Sequence, residues 1–222
     1  MRATRLLDFM RVVRIAIAAV ALLPANAAFG QAITALDSAT DAAISPIVAQ
    51  ARAGRLPVNP LYAKAREGQV QRVPVPKIEA AVRTLLERLR SANEALAPDA
   101  SEQELTAAAD AIKNGVPLAT LTAMRKAGRD GSLAVPIGVL TQLVVRGVPV
   151  ERASMQIVDL LQRGAVARNF IALEESVRQD VLAGRRPDES LDLRLKGIIP
   201  NLPQSATADG AGLQAATPKK PR

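Results

Sequence analysis

The chain contains no cysteine, no histidine and no tryptophan, and each absence removes a class of chemistry. Without cysteine there is no disulfide, no thiol nucleophile and no lipid attachment through a cysteine. Without histidine, the Ser-His-Asp and Cys-His arrangements fall away. So do the usual zinc sites and any imidazole acid–base step. Aromatic residues make up only 2% of the sequence, one Tyr and three Phe. A core must therefore come from Ala, Val, Leu and Ile, which suits close-packed helices better than a sheet. Phosphate-cradling glycine loops ending in Lys and Ser or Thr are missing, as are Gly-x-Ser-x-Gly and Ser-x-x-Lys. Any catalysis is left to carboxylates, Lys, Tyr and hydroxyl groups.

The first thirty residues differ from the rest. Arg2, Arg5, Arg11 and Arg14 precede the apolar run Ile15–Leu23, then Pro24 and small residues lead to Ala28-Phe29-Gly30. This order predicts a secretory signal peptide over residues 1–30, cleaved near residue 30, because nine strongly apolar residues fall short of the roughly 20 that span a bilayer. Residues 31–44 read as a leader, with a helical start open from Asp41. A helical domain follows over 45–197 and a disordered basic tail over 198–222, within which Ile198, Ile199 and Leu202 are expected to pack back on the body. The formal charge is +8, but four Arg and one Asp of the signal segment supply part of it, and Lys219, Lys220 and Arg222 supply more. The folded body is left only mildly basic, which argues against nucleic acid as a partner.

Glycine and proline punctuate the body. Gly54, Gly68, Gly115, Gly128, Gly147, Gly164, Gly184 and Gly197 read as helix ends. All but Gly184 have a Lys or Arg within the two preceding residues, where a cation offsets the negative end of the helix dipole. Prolines supply the starts: Pro117, Pro149 and Pro187 fit the first helical position, and Ser45-Pro46 and Asn59-Pro60 fit a cap followed by that position. Ser101-Glu-Gln-Glu104 is a capping box. Between these marks the apolar period is helical, as in Ile78, Val82, Leu85, Leu89, Ala92 and Leu96, or Val150, Ala153, Ile157 and Leu160, or Phe170, Leu173 and Val177. The uncharged stretch Leu133–Val145 predicts the most buried helix. The fold expected is all-α: an irregular helical bundle or short α-superhelix of about nine helices with short Gly/Pro turns.

No residue is assigned a catalytic, cofactor-binding or metal-binding role. Glu175-Ser176 and Glu189-Ser190 have the residue types of a cell-wall lytic site, but they lie in charged amphipathic contexts that favour solvated helix faces. Glu174, Glu175 and Asp180 fall near one another without a calcium-type loop. Tyr62, next to Lys64, reads as a packing residue. Glu79–Arg83, Arg83–Glu87 and Arg90–Glu94 have the spacing of ion pairs on an exposed helix face. Lys219, Lys220 and Arg222 form the compact single-sign cluster, and are the candidates for contact with an anionic envelope surface.

The segments EGQVQRVPVPKIEAAVRTLLERL (67–89) and RGVPVERA (146–153) resemble parts of exported proteins of high-GC bacteria that repeat a Gly-Val-Pro-x-Glu helix start. The resemblance spans most of residues 50–196 and departs from the pattern at Arg72, where Gly is expected. It implies a bacterial envelope protein and brings no activity or site residues with it. The reading that follows is an exported, non-enzymatic helical interaction or scaffolding protein, periplasmic or secreted, whose partner is another envelope protein. The alternatives are an envelope-surface module acting through the basic tail, and a glycan-cleaving enzyme based on Glu175 or Glu67.

Overall fold

A computed structural model describes residues 35–128 and 131–202. The segment read as a signal peptide lies outside them, as do Lys219, Lys220 and Arg222. Among the described residues the chain is all-helical, with no strand: α1 (Ser38–Ala53), α2 (Asn59–Val70), α3 (Val75–Leu96), α4 (Glu102–Lys113), α5 (Leu118–Ala127), α6 (Ala134–Val145), α7 (Val150–Gln162), α8 (Ala167–Leu182) and α9 (Pro187–Ile198), followed by a 3-10 turn at Ile199–Asn201.

Six helices close in the same way. The residue after each C-cap takes a left-handed conformation: Arg55 (φ 54°), Arg72 (55°), Gly115 (88°), Gly147 (96°), Gly164 (76°) and Gly184 (87°). The next N–H then reaches back five residues to a carbonyl of the helix, as in Leu56 to Ala51 (2.9 Å), Val116 to Ala111 (3.0 Å) and Val148 to Leu143 (3.0 Å). This is the Schellman closure, in which the residue after the left-handed one packs back on the helix. Leu56, Val116, Val148 and Ala165 accordingly lie in the core. In Gly-Val-Pro the glycine turns the chain, the valine plugs the core, and the proline stands just outside the next helix. Pro74, Pro117 and Pro149 are N-caps with extended ψ, not first helical residues. Their fixed φ suits that position as well as the next. Pro187 does open its helix.

Other boundaries move for physical reasons. Helix α1 starts at Ser38, because Asp37 Oδ1 accepts from the Thr40 N–H (2.8 Å), and it runs through Pro46. An interior proline costs about 3 kcal/mol, and the burial of Ile44, Ile47, Val48 and Ala51 on this helix opposes that cost. In α2 the cap is Val58. Asn59 is already helical and turns its side chain to Glu102 instead. Gly68 and Gly197 lie inside α2 and α9. At Gly68 a Cβ would come within 2.7 Å of Ile78 Cγ1, so the glycine is required by the close approach of α2 to α3.

Helices α1, α3, α5 and α7 pack one on the next, as do α4, α6 and α8; α3 on α4, α6 on α7 and α8 on α9 join the two rows. The core is aliphatic, with Phe170 the single fully buried aromatic among the described residues. In α6, Pro136, Ile137, Val139, Leu140, Thr141 and Leu143 are buried. Leu202 is buried too, with Ile198 and Ile199 half-buried against the same core.

Row α4–α6 is fastened by a buried carboxylate. Glu104, 3% exposed, accepts from the backbone N–H of Ser101 (2.8 Å) and of Leu133 (2.7 Å). The Arg125 guanidinium stands 3.3 Å away and donates from Nε to the Leu96 carbonyl (3.0 Å). The capping box is therefore only half of what Glu104 does. It also caps the start of α6 and pairs with Arg125 of α5, the residue that ties α5 to the end of α3. Burial pushes the Glu104 carboxyl up, but the N–H donors of Leu133 and Ser101 and the Arg125 charge outweigh it and leave it below its ordinary value.

Candidate functional site

Between α2 and the row α4, α6 and α8 runs a seam. Helices α4, α6 and α8 touch in succession, whereas α2 rests on α3 and makes at most marginal contact with α4. The two helices are bridged by the hydrogen bond from Asn59 Nδ2 to Glu102 Oε1 (3.1 Å). Between them opens a groove of about 1040 Å³, floored by Ala81, Leu85 and Arg88 of α3. One wall is Pro60, Ala63, Lys64 and Glu67 of α2; the other includes Thr106, Ala107, Asp110 and Lys113 of α4.

The wall spacing of α2 is i, i+3, i+4 and i+7, one helix face. Its small side chains hold the groove open: a larger residue at Ala63 or Ala107 would project into the space they leave. Leu85 belongs to the apolar period of α3 but is only half-buried, since the core position is taken by Leu86. On the rim, Lys64 Nζ lies 2.8 Å from Glu67 Oε2, and Lys113 lies 4.0 Å from Asp110. The Lys64 hydrogen bond and charge, with Lys113 adding its field, hold the Glu67 carboxyl below the usual range.

The carboxylates singled out by sequence are dispersed among arginines. Glu174 pairs with Arg146 (2.6 Å), joining α8 to the end of α6. Glu175 is bound by Arg178 (2.6 Å) and Gln179 (2.8 Å) on its own helix, and these donors hold its carboxyl down at about 2. A carboxyl so acidic is ionised at neutral pH and has no proton to give a leaving group. Asp180 accepts two hydrogen bonds from Arg194 (2.6 and 2.8 Å) and one from the buried Ser190 hydroxyl (2.7 Å), which hold it well below the carboxylate range. Ser190 thus pins α9 to α8. Glu189 is on the rim of an Arg186 pair (3.6 Å). Glu67 and Glu175 lie on different helices with different partners, and the structure does not bring them together.

Tyr62 packs half-buried against the core, as its sequence context predicts. On α3, Glu79–Arg83 forms at 2.8 Å, but Arg90 turns to Glu87 (2.7 Å) and to Gln50 of α1 (3.0 Å) in place of Glu94. Among the described residues no group of three acidic side chains could hold a metal ion, and no helix is long and apolar enough to cross a membrane. Arg88, Thr106 and Asp110 belong to no site motif, and Lys113 reads only as the helix-end cation before Gly115. The groove they help to line comes from a missing helix–helix contact, and no local signal in the sequence encodes that. No family model, no curated protein and no solved structure matches this chain.

Proposed function

We propose that this is an exported protein of a bacterial envelope that binds a segment of another envelope protein in the groove between α2 and α4. The open seam carries the reading. It is an apolar-floored channel between helix flanks, rimmed by charges of both signs, the form of surface that accepts a polypeptide segment. The mixed rim speaks against nucleic acid, which calls for cations of one sign. The basic start followed by an apolar run and small residues supports export to the periplasm. The protein acts by contact, since Glu174 and Asp180 of α8 are committed to arginines that fasten helices and Glu175 to Arg178 on its own helix.

The test is site-specific photo-crosslinking in the producing bacterium. A photoreactive residue at Thr106, on the groove wall, is expected to give a defined adduct in the periplasmic fraction. The same group at Met155, exposed on α7, gives none, and Ala63→Trp, which fills the groove, abolishes the Thr106 adduct. Equal labelling from both positions, or an adduct untouched by Ala63→Trp, overturns the reading.

A further inference from the structure

Among the charged side chains that line the groove, Arg88 alone lacks a polar partner among the described residues. Lys64 is matched by Glu67, Lys113 faces Asp110, and Glu102 accepts from Asn59. Arg88 is half-buried on the floor and has no hydrogen-bond or ion-pair partner among the described residues. It follows Leu85 by three positions, so the two share a face of α3 and place an apolar patch beside a cationic one. A guanidinium partly withdrawn from water, with its planar fork of donors unused, is matched best by a carboxylate.

We infer that the groove takes a partner segment whose aliphatic side chains lie on Ala63, Ala81, Leu85 and Ala107, and whose Asp or Glu side chain closes on Arg88. The chemistry of the surroundings selects this ligand. Glu102 on the rim, which no cation of the groove neutralises, repels a dianion such as phosphate more strongly than a single carboxylate. A chain-terminal carboxylate is captured by free backbone N–H groups, whereas the wall residues beyond the first turns of α2 and α4, such as Ala63, Lys64, Thr106 and Asp110, have theirs spent within the helices. A single acidic side chain, arriving with an apolar neighbourhood, fits both the charge and the floor. The inference rests on the groove reading above and sharpens it to one partner chemistry.

A library of short random peptides, displayed with their C-termini fused and therefore uncharged, is selected on the full chain. Enriched peptides are then measured by fluorescence anisotropy. The expected peptides carry Asp or Glu beside aliphatic residues. Arg88→Gln weakens them about tenfold or more, replacing the peptide acid by its amide does the same, and the two losses together fall well short of additive. Arg168→Gln, at an exposed cation of α8, leaves binding unchanged. Helical circular dichroism identical to the parent shows that Arg88→Gln folds. If enriched peptides are blocked by Ala63→Trp yet are neutral, or ignore Arg88→Gln, the acidic-partner inference is overturned while the groove reading stands. If nothing is enriched, or Ala63→Trp has no effect, both fall.

Discussion

At the scale of single residues the helix ends are the most informative positions. Four of the six left-handed closures use glycine, and two use Arg55 and Arg72, with φ of 54° and 55°. An L-residue in that region is strained by about 1–2 kcal/mol relative to glycine, partly offset by the greater entropy glycine loses on folding. Arg72→Gly and Arg55→Gly should therefore each stabilise the protein by about 0.5–1 kcal/mol. Gly147→Ala, at φ 96°, should destabilise it by about 1–2 kcal/mol. Urea midpoints at unchanged slope measure all three. An unchanged midpoint for Gly147→Ala would mean that the chain does not turn left-handed there. The Gly-Val-Pro frame was legible in the sequence as punctuation. What a one-dimensional reading missed is that its valine is a core residue, because burial is decided by the turn that precedes it.

Helix against helix, the tightest constraint lies at Gly68. Arg66 just before it makes it read as a helix terminus, yet α2 continues through to Val70. The reason is across the interface: Ile78 of α3, itself buried, occupies the space a side chain would need. Alanine at this site gains about 1 kcal/mol of helix propensity but overpacks the contact, which costs about 1–3 kcal/mol. Gly68→Ala is expected to be net destabilising. The double substitution Gly68→Ala/Ile78→Ala should cost less than the sum of the singles, since removing Cγ1 relieves the clash. Thermal or urea unfolding of the four proteins of the cycle checks this. Strict additivity would refute the close approach. The same scale separates Leu85 from Leu86. A 4-3-4-3-4 period picks out the first, and the packing of neighbouring helices on α3 buries the second.

For the whole molecule the absent histidine becomes a prediction about pH. No side chain of ordinary pKa titrates between about pH 5 and 8 without it, so the melting temperature should be flat there. The perturbed carboxylates all shift downward: Asp37, Glu67, Glu104, Asp180 and Asp188 in direction, and Glu175 to about 2. A carboxyl whose folded pKa lies below its unfolded value contributes stability above the unfolded value and loses it as pH falls through the folded one. The loss should begin near pH 4.5 and continue towards pH 2. Glu104 is the most deeply buried of them, ahead of Asp180, so Glu104→Gln should destabilise by about 3 kcal/mol at pH 7, since it leaves Arg125 without its counter-charge. It should also flatten the acid limb. Melting curves from pH 2 to 8 for both proteins measure this; an equally steep acid limb in the variant would show that Glu104 carries none of it.

The sequence by itself determined that this chain is helical, roughly where each helix stops, and which chemistries it lacks. Those properties follow from residue types and spacings within a few turns: aliphatic periods, glycines and prolines, no Cys or His. Only the tertiary structure decided which charges are fastened and which surface is open. Glu104 finds Leu133 and Arg125, and Asp180 finds Ser190 and Arg194, by packing between helices. The groove exists because α2 leans on α3 and meets α4 only at the Asn59–Glu102 bridge and marginal contacts. Such contacts are set by how whole helix faces interlock, and the balance among those faces is not written at any one position.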